Sequence, residues 1–166
     1  MDTITKKERE TIFGDLVKYY QFCKKDRRNH IMNAIVALKR CCSDKERNAI
    51  KISLQEKKNS YGYYKRMKVV AFLLKGNLSD FITQEEKKQA IDDLIFHYGC
   101  RIKTALFHIK SAENAIKRIE DVKSNDRELR IEKIKNLLLE DREEYAIYQS
   151  KMKIVESLKN EITHET

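Results

Sequence analysis

Residues 57–68 read Lys57-Lys58-Asn59-Ser60-Tyr61-Gly62-Tyr63-Tyr64-Lys65-Arg66-Met67-Lys68, five cations and three tyrosines around one glycine. Cations at this density neutralise phosphates and release their counterions, while tyrosine faces stack on unpaired bases. The candidate nucleic-acid contacts are therefore Lys57, Lys58, Tyr63, Tyr64, Lys65, Arg66 and Lys68. Lys6, Lys7, Lys24, Lys25, Arg27, Arg28, Lys39 and Arg40 widen the basic surface. No helix-turn-helix or RNA-binding-fold signature accompanies the patch, so it carries no sequence specificity. The competing reading is a solvated helix face with Tyr64 and Met67 turned into a core.

A second set, Asp93, His97, Arg101, Thr104 and His108, recurs at steps of 4, 4, 3 and 4, which places it on one flank of a helix. An imidazole and a guanidinium together suit proton transfer and stabilisation of developing negative charge. A third feature is Asp141, which interrupts an otherwise apolar period. A carboxylate there is costly unless paired, and His108 or Arg142 is its expected neighbour. Acids also cluster at Glu140, Asp141, Glu143 and Glu144, but a di-iron bundle needs Glu-x-x-His repeats from paired helices. Glu161 and His164 alone have that spacing, at the end of the chain. Neither a metal site nor a cofactor is expected.

Arg101 and His108 have the spacing R-x6-H, which resembles the Arg/His signature of the HEPN helical ribonucleases. That resemblance implies that His108 acts on a ribose hydroxyl and that Arg101 stabilises the phosphate. In architecture, a long helical hairpin with an outward His97 is similar to the dimerisation-and-phosphotransfer hairpins of histidine kinases, which implies a phosphotransfer role. A plain hydrogen-bonded or salt-linked flank is the third reading of the same residues, and the preferred one.

The elements that must hold these groups are helices. The 166 residues contain no Pro and four Gly, so little punctuates a long helix and little supports a turn-rich β fold. No apolar run is long enough to cross a membrane, and the first ten residues are polar, so neither a span nor a secretory signal is expected. Cys23, Cys41, Cys42 and Cys100 form no CxxC pair, and mostly buried free thiols in a reducing cytoplasm are expected. The net charge of +9 is uneven. Residues 1–76 hold 19 Lys and Arg against 8 Asp and Glu, and residues 77–166 hold 16 against 18. That asymmetry points to a polyanionic partner for the first half.

Capping boxes at Thr5–Glu8, Ser43–Glu46 and Thr83–Glu86 mark helix starts. A first helix is expected to about Lys24, with residues 24–29 as a polar connection. A second runs through Ile31, Ile35, Leu38 and Cys42. A third starts after Ser43 and bends or breaks near Asn59–Gly62, ending at a positive-φ cap on Gly76. Leu78, Phe81 and Ile82 are expected to plug a core from the linker.

Residues 91–119 then carry an unbroken 4-3 repeat: Ile91, Ile95, Tyr98, Ile102, Ala105, Ile109, Ala112, Ile116 and Ile119. After a short turn at Lys123-Ser124-Asn125, capped by Asn125, the period resumes at Ile131, Ile134, Leu138, Asp141, Tyr145, Tyr148, Met152, Val155 and Ile162, with Lys159 in place of an apolar member. So short a connection forces antiparallel neighbours whose residue numbers total about 250, setting Ala105 against Tyr145 and Ala112 against Leu138. Phe96, Cys100 and Phe107, with Ile147, Ile154 and Leu158, form a second apolar side expected to be covered by the N-terminal helices. The stretch from about Lys110 to Glu140 is expected to project.

The expected fold is an all-α bundle of about five helices. Residues 1–82 are basic helices on the base of a coiled-coil-like hairpin of residues 83–166, in one structural domain. The expected function is a small, non-catalytic, cytoplasmic binding protein. Its basic half contacts nucleic acid and its hairpin mediates protein–protein contact or self-association, with no membrane role. An adaptor or inhibitor docking on an acidic protein surface is the first alternative, and the ribonuclease using Arg101 and His108 the second.

Overall fold

A computed structural model describes residues 4–120 and 126–164, all of whose regular structure is helical. Its order is α1 (Lys6–Arg40), α2 (Asp44–Lys75), a single 3-10 turn (Ser79–Phe81), α3 (Gln84–Glu120) and α4 (Arg127–His164). The chain divides into two compact units, Met1–Ala90 and Ile91–Thr166. No described helix is long and apolar enough to cross a membrane.

Among the described residues there are four α-helices rather than about five, because α1 runs straight through the expected connection at residues 24–29. The segment is polar but contains neither Gly nor Pro, and Lys and Arg are good helix formers. A turn of a long helix whose side chains are half-buried or exposed needs no apolar residue. α2 likewise continues through Asn59–Gly62, where one glycine costs only about 1 kcal/mol against alanine.

In the first unit α1 and α2 pack side by side, joined by three residues at Cys41–Ser43. Ile12, Phe13, Leu16 and Tyr20 of α1 are buried with Met67, Val70, Ala71 and Leu74 of α2, and Leu54 is buried nearer the turn. Thr5 caps α1: its hydroxyl accepts the Glu8 N–H, and the Glu8 carboxylate accepts the Thr5 N–H at 2.8 Å. Ser43 occupies the N-cap of α2 without a side-chain bond.

α2 closes in a Schellman-type arrangement, with the Leu78 N–H on the Leu73 carbonyl and the Asn77 N–H on that of Leu74. The positive φ falls on Asn77, at 57°, and not on Gly76, whose φ is −82°. Asn tolerates the left-handed region better than other non-glycine residues, so the glycine one place earlier was a misleading marker. Leu78 and Phe81 do not plug a core but are exposed.

In the second unit α3 and α4 lie antiparallel. Lys159 meets Asp92, Tyr148 meets Tyr98, Glu144 meets Arg101, Asp141 meets His108 and Arg142 meets Glu113. Residue numbers rise along α3 as they fall along α4, around the expected total of about 250. Every member of the α3 repeat from Ile91 to Ile119 is buried or half-buried. The same holds on α4 from Ile131 to Val155, while Lys159 is exposed. Complete burial concentrates at Ile91, Leu94, Tyr98 and Ala105 of α3 and at Val155 and Leu158 of α4. Among the described residues between Lys110 and Glu140, only Leu138 is buried.

The expected second apolar side is enclosed only in part, with Leu158 buried and Ile154 half-buried. Phe96 and Phe107 are 65% and 68% exposed, and Cys100 and Ile147 are exposed as well. Periodicity shows which faces are apolar, and it does not show that each has a partner. The thiols are likewise less enclosed than expected: Cys42 and Cys100 are exposed, Cys23 and Cys41 half-buried. The expected turn at Lys123-Ser124-Asn125 lies outside the described residues.

Candidate nucleic-acid interface

The continuity of α2 decides where its basic residues point. Advancing 100° per residue, the set Arg47, Lys51, Leu54, Lys58, Tyr61, Lys65, Lys68 and Phe72 forms one line, with steps alternating 4 and 3. Arg47, Lys51, Lys58, Lys65 and Phe72 on this line are exposed, Tyr61 and Lys68 half-buried, and Leu54 buried. α1 carries a matching line at Gln21, Lys25, Arg28, Met32, Ile35 and Lys39, with all but Ile35 exposed. The Lys68 ammonium donates to Gln21 Oε1 at 2.9 Å, which sets both lines on the same side of the pair.

Among the described residues no hydrogen bond or ion pair occupies the heads of Lys25, Arg28, Lys39, Lys51, Lys58 or Lys65. Arg47 reaches back only to the Cys41 carbonyl, at 3.4 Å. Between residues 16 and 43 the one acid is Asp26, and between 47 and 78 it is Glu56. Both fall well around their helices from the basic lines, and Asp26 sits 3.4 Å from His30. Like charges on this flank thus face water without internal compensation.

The residues expected to form the interface do not share one surface. Lys58 and Lys65 stand on the exposed basic line. Lys57 is half-buried and its ammonium donates to Ser53 Oγ. Tyr64 is half-buried with its ring 6.2 Å from that of Tyr20, and Tyr63 meets Tyr64 edge-on at 5.2 Å. Tyr63 lies across the helix from Lys58 and Lys65.

Arg66 is committed elsewhere. Its Nε donates to Glu86 Oε1 at 2.6 Å and its Nη2 to Oε2 at 3.0 Å, a bidentate fork. Glu86 also accepts the Thr83 N–H at 3.0 Å, while Thr83 Oγ1 accepts the Glu86 N–H at 3.1 Å. Arg66 thus braces the capping box of α3. Its hydrogen bond, then that from the Thr83 backbone, holds the Glu86 carboxyl below its usual range, and Glu86 in turn raises Arg66.

The expectation omitted Arg47 and Lys51, which extend the basic line toward the turn. Their spacing from Lys58 was present in the sequence, but they lie outside the dense basic run at residues 57–68.

On the second unit, the Asp93-to-His108 flank of α3 is tied to α4. Arg101 Nη1 lies 3.9 Å from Glu144 Oε1, and its guanidinium sits 5.8 Å from the Tyr148 ring centre. His108 Nδ1 lies 3.4 Å from Asp141 Oδ1. The Thr104 hydroxyl donates to the Cys100 carbonyl at 3.0 Å, and the His97 ring leans on Tyr98 at 5.5 Å. Arg101 and His108 are two turns apart, about 10.5 Å of helical rise. Asp141 has the His108 neighbour expected for it, with its side chain 20% exposed. Among the described residues no group of three His, Cys, Asp or Glu side chains is arranged to hold a metal ion.

Comparison of the chain with protein-family models, with curated proteins and with solved structures finds no match.

Proposed function

We propose that this protein is a non-catalytic binding protein whose α1–α2 pair contacts nucleic acid, and whose α3–α4 pair serves protein–protein contact or self-association. The observation that carries the reading is the flank of exposed cations on α1 and α2 whose heads have no carboxylate partner among the described residues. Such a flank repels itself and gains most from a ligand with regularly spaced negative charge. Free thiols, two of them exposed, support a reducing compartment such as the cytoplasm.

The exposed Phe96 and Phe107 on α3 supply the apolar surface that a protein contact requires. An adaptor docking on an acidic protein remains the second reading, because exposed Met32, Val69 and Phe72 border the same cations. The test is titration with single- and double-stranded oligonucleotides at moderate salt. Binding that weakens steeply with salt, and with charge reversal at Lys58 and Lys65, supports nucleic acid. An absence of binding at every salt concentration leaves the adaptor.

A further inference from the structure

We infer that the ligand of the α1–α2 flank is a double-helical nucleic acid held by its two phosphate backbones, and not a single strand held by its bases. The inference rests on the nucleic-acid reading above and deepens it. Two observations carry it, the paired rows of cations and the position of the aromatic rings.

The rows run antiparallel on neighbouring helices, whose axes in packed pairs lie about 8–10 Å apart. One holds Lys25, Arg28 and Lys39, and the other Arg47, Lys51, Lys58 and Lys65. In the antiparallel pair, Lys65 stands opposite the Lys25 end of α1 and Arg47 opposite the Lys39 end. From Lys25 to Lys39 the rise is about 21 Å and from Arg47 to Lys65 about 27 Å, the length of roughly eight base pairs. A duplex presents two rows of phosphate over that length and twice the axial charge density of one strand. Long Lys and Arg side chains from two helices reach both edges of a groove, and a single strand leaves one row unmatched.

Single-strand binding draws much of its affinity from aromatic rings, about 1–3 kcal/mol for each stacked base. The rings of this region are not set for that. Tyr64 is engaged with Tyr20, Tyr63 lies across the helix from the cations, and Tyr61 is half-buried in the row. Phe22 and Phe72 are exposed, but Phe22 points about 100° around α1 from its row, and Phe72 lies past Lys68, the last cation on its line. The flank therefore reads charge and shape, and its ligand is a duplex without sequence preference. DNA and RNA duplexes share this chemistry, and the experiment carries both.

The test measures binding of the full chain to 16-nucleotide single strands and to 16-base-pair DNA and RNA duplexes by fluorescence anisotropy across a salt series. Two charge-matched triple variants accompany the wild type: Lys51→Glu/Lys58→Glu/Lys65→Glu, and Lys103→Glu/Lys117→Glu/Lys133→Glu on exposed positions of α3 and α4. Circular dichroism verifies that each is folded.

The expected result is duplex binding at least about tenfold tighter than single-strand binding, with a log–log salt slope of about −4 to −6 for seven cations. The α2 triple loses at least about 100-fold in duplex affinity, and the control triple within about fivefold. Phe72→Ala leaves duplex affinity unchanged. Equal or tighter binding of single strands, or equal losses in the two triples, overturns the duplex inference while the nucleic-acid reading stands. No binding of any oligonucleotide at low salt ends both.

Discussion

The two helical pairs of this chain use similar frames for opposite electrostatic ends. α1 with α2 and α3 with α4 are both long antiparallel pairs in which complete burial is concentrated away from the turn and thins toward it. In α3–α4 the charges are spent inside the pair, at Asp92–Lys159, Arg101–Glu144, His108–Asp141 and Glu113–Arg142. In α1–α2 the contact joining the basic lines is from a cation to a neutral amide, Lys68 to Gln21, and the cations beyond it face outward. Ion pairs bridging two helices hold a register, whereas unpaired like charges contribute nothing to it and are a surface offered to something else.

The comparison supposes that both pairs rest on real cores. Leu16→Ala in α1 and Tyr98→Ala in α3, both fully buried, are each expected to lower unfolding stability by about 3 kcal/mol in chemical denaturation. A loss under about 1 kcal/mol at either site would show that its pair is loosely packed.

Asn77→Val, at the positive-φ end of α2, should cost about 1–2 kcal/mol, while Asn77→Gly should be neutral or stabilising. The same denaturation series reads both. If valine proves as good as asparagine, the left-handed closure is wrong.

The sharpest contrast is expected from reversing single charges. Arg142→Glu sets two acids together across α3–α4 and should destabilise by about 0.5 kcal/mol, since the pair with Glu113 is largely exposed. Lys58→Glu should be neutral or stabilising by a few tenths of a kcal/mol, because it relieves repulsion on the basic flank. Opposite signs in thermal melts at low salt, converging at high salt, are the expected pattern.

A last, smaller effect concerns the buttress between α2 and α3. The folded Glu86 carboxyl titrates below its ordinary value of 4.5, chiefly through the Arg66 hydrogen bond. Its contribution is therefore present above about pH 4.5 and is lost as pH falls through the lowered folded value. Glu86→Gln should flatten the acid limb of the stability-versus-pH curve, and an unchanged limb would mean that the fork does not form in solution.

Much of the frame was legible because local signals and long-range pattern agreed. The capping boxes at Thr5 and Thr83 form as their sequences require, and the 4-3 repeat of α3 marks the residues that are inside. Errors arose where a local signal was outweighed. Polar residues 24–29 looked like a connection, yet a helix already nucleated on both sides tolerates a polar turn. Gly76 looked like the left-handed cap, yet the chain passed that duty to Asn77.

The candidate site was half legible for the same reason. Lys58 and Lys65 were found by composition, but which cations share a flank depends on an unbroken helical phase from Arg47 to Phe72. Arg47 and Lys51 lie outside the dense run at residues 57–68 and join Lys58 only through that phase. Arg66, which faces Glu86, was counted among the contacts.

The contrast between the two pairs is tested most directly by backbone amide chemical shifts recorded while a short DNA duplex is added. The account predicts shifts confined to α1 and α2, centred on Lys25, Arg28, Lys51, Lys58 and Lys65, and fading as salt is raised. Shifts centred on Arg101 and His108, or spread evenly over all four helices, would contradict it.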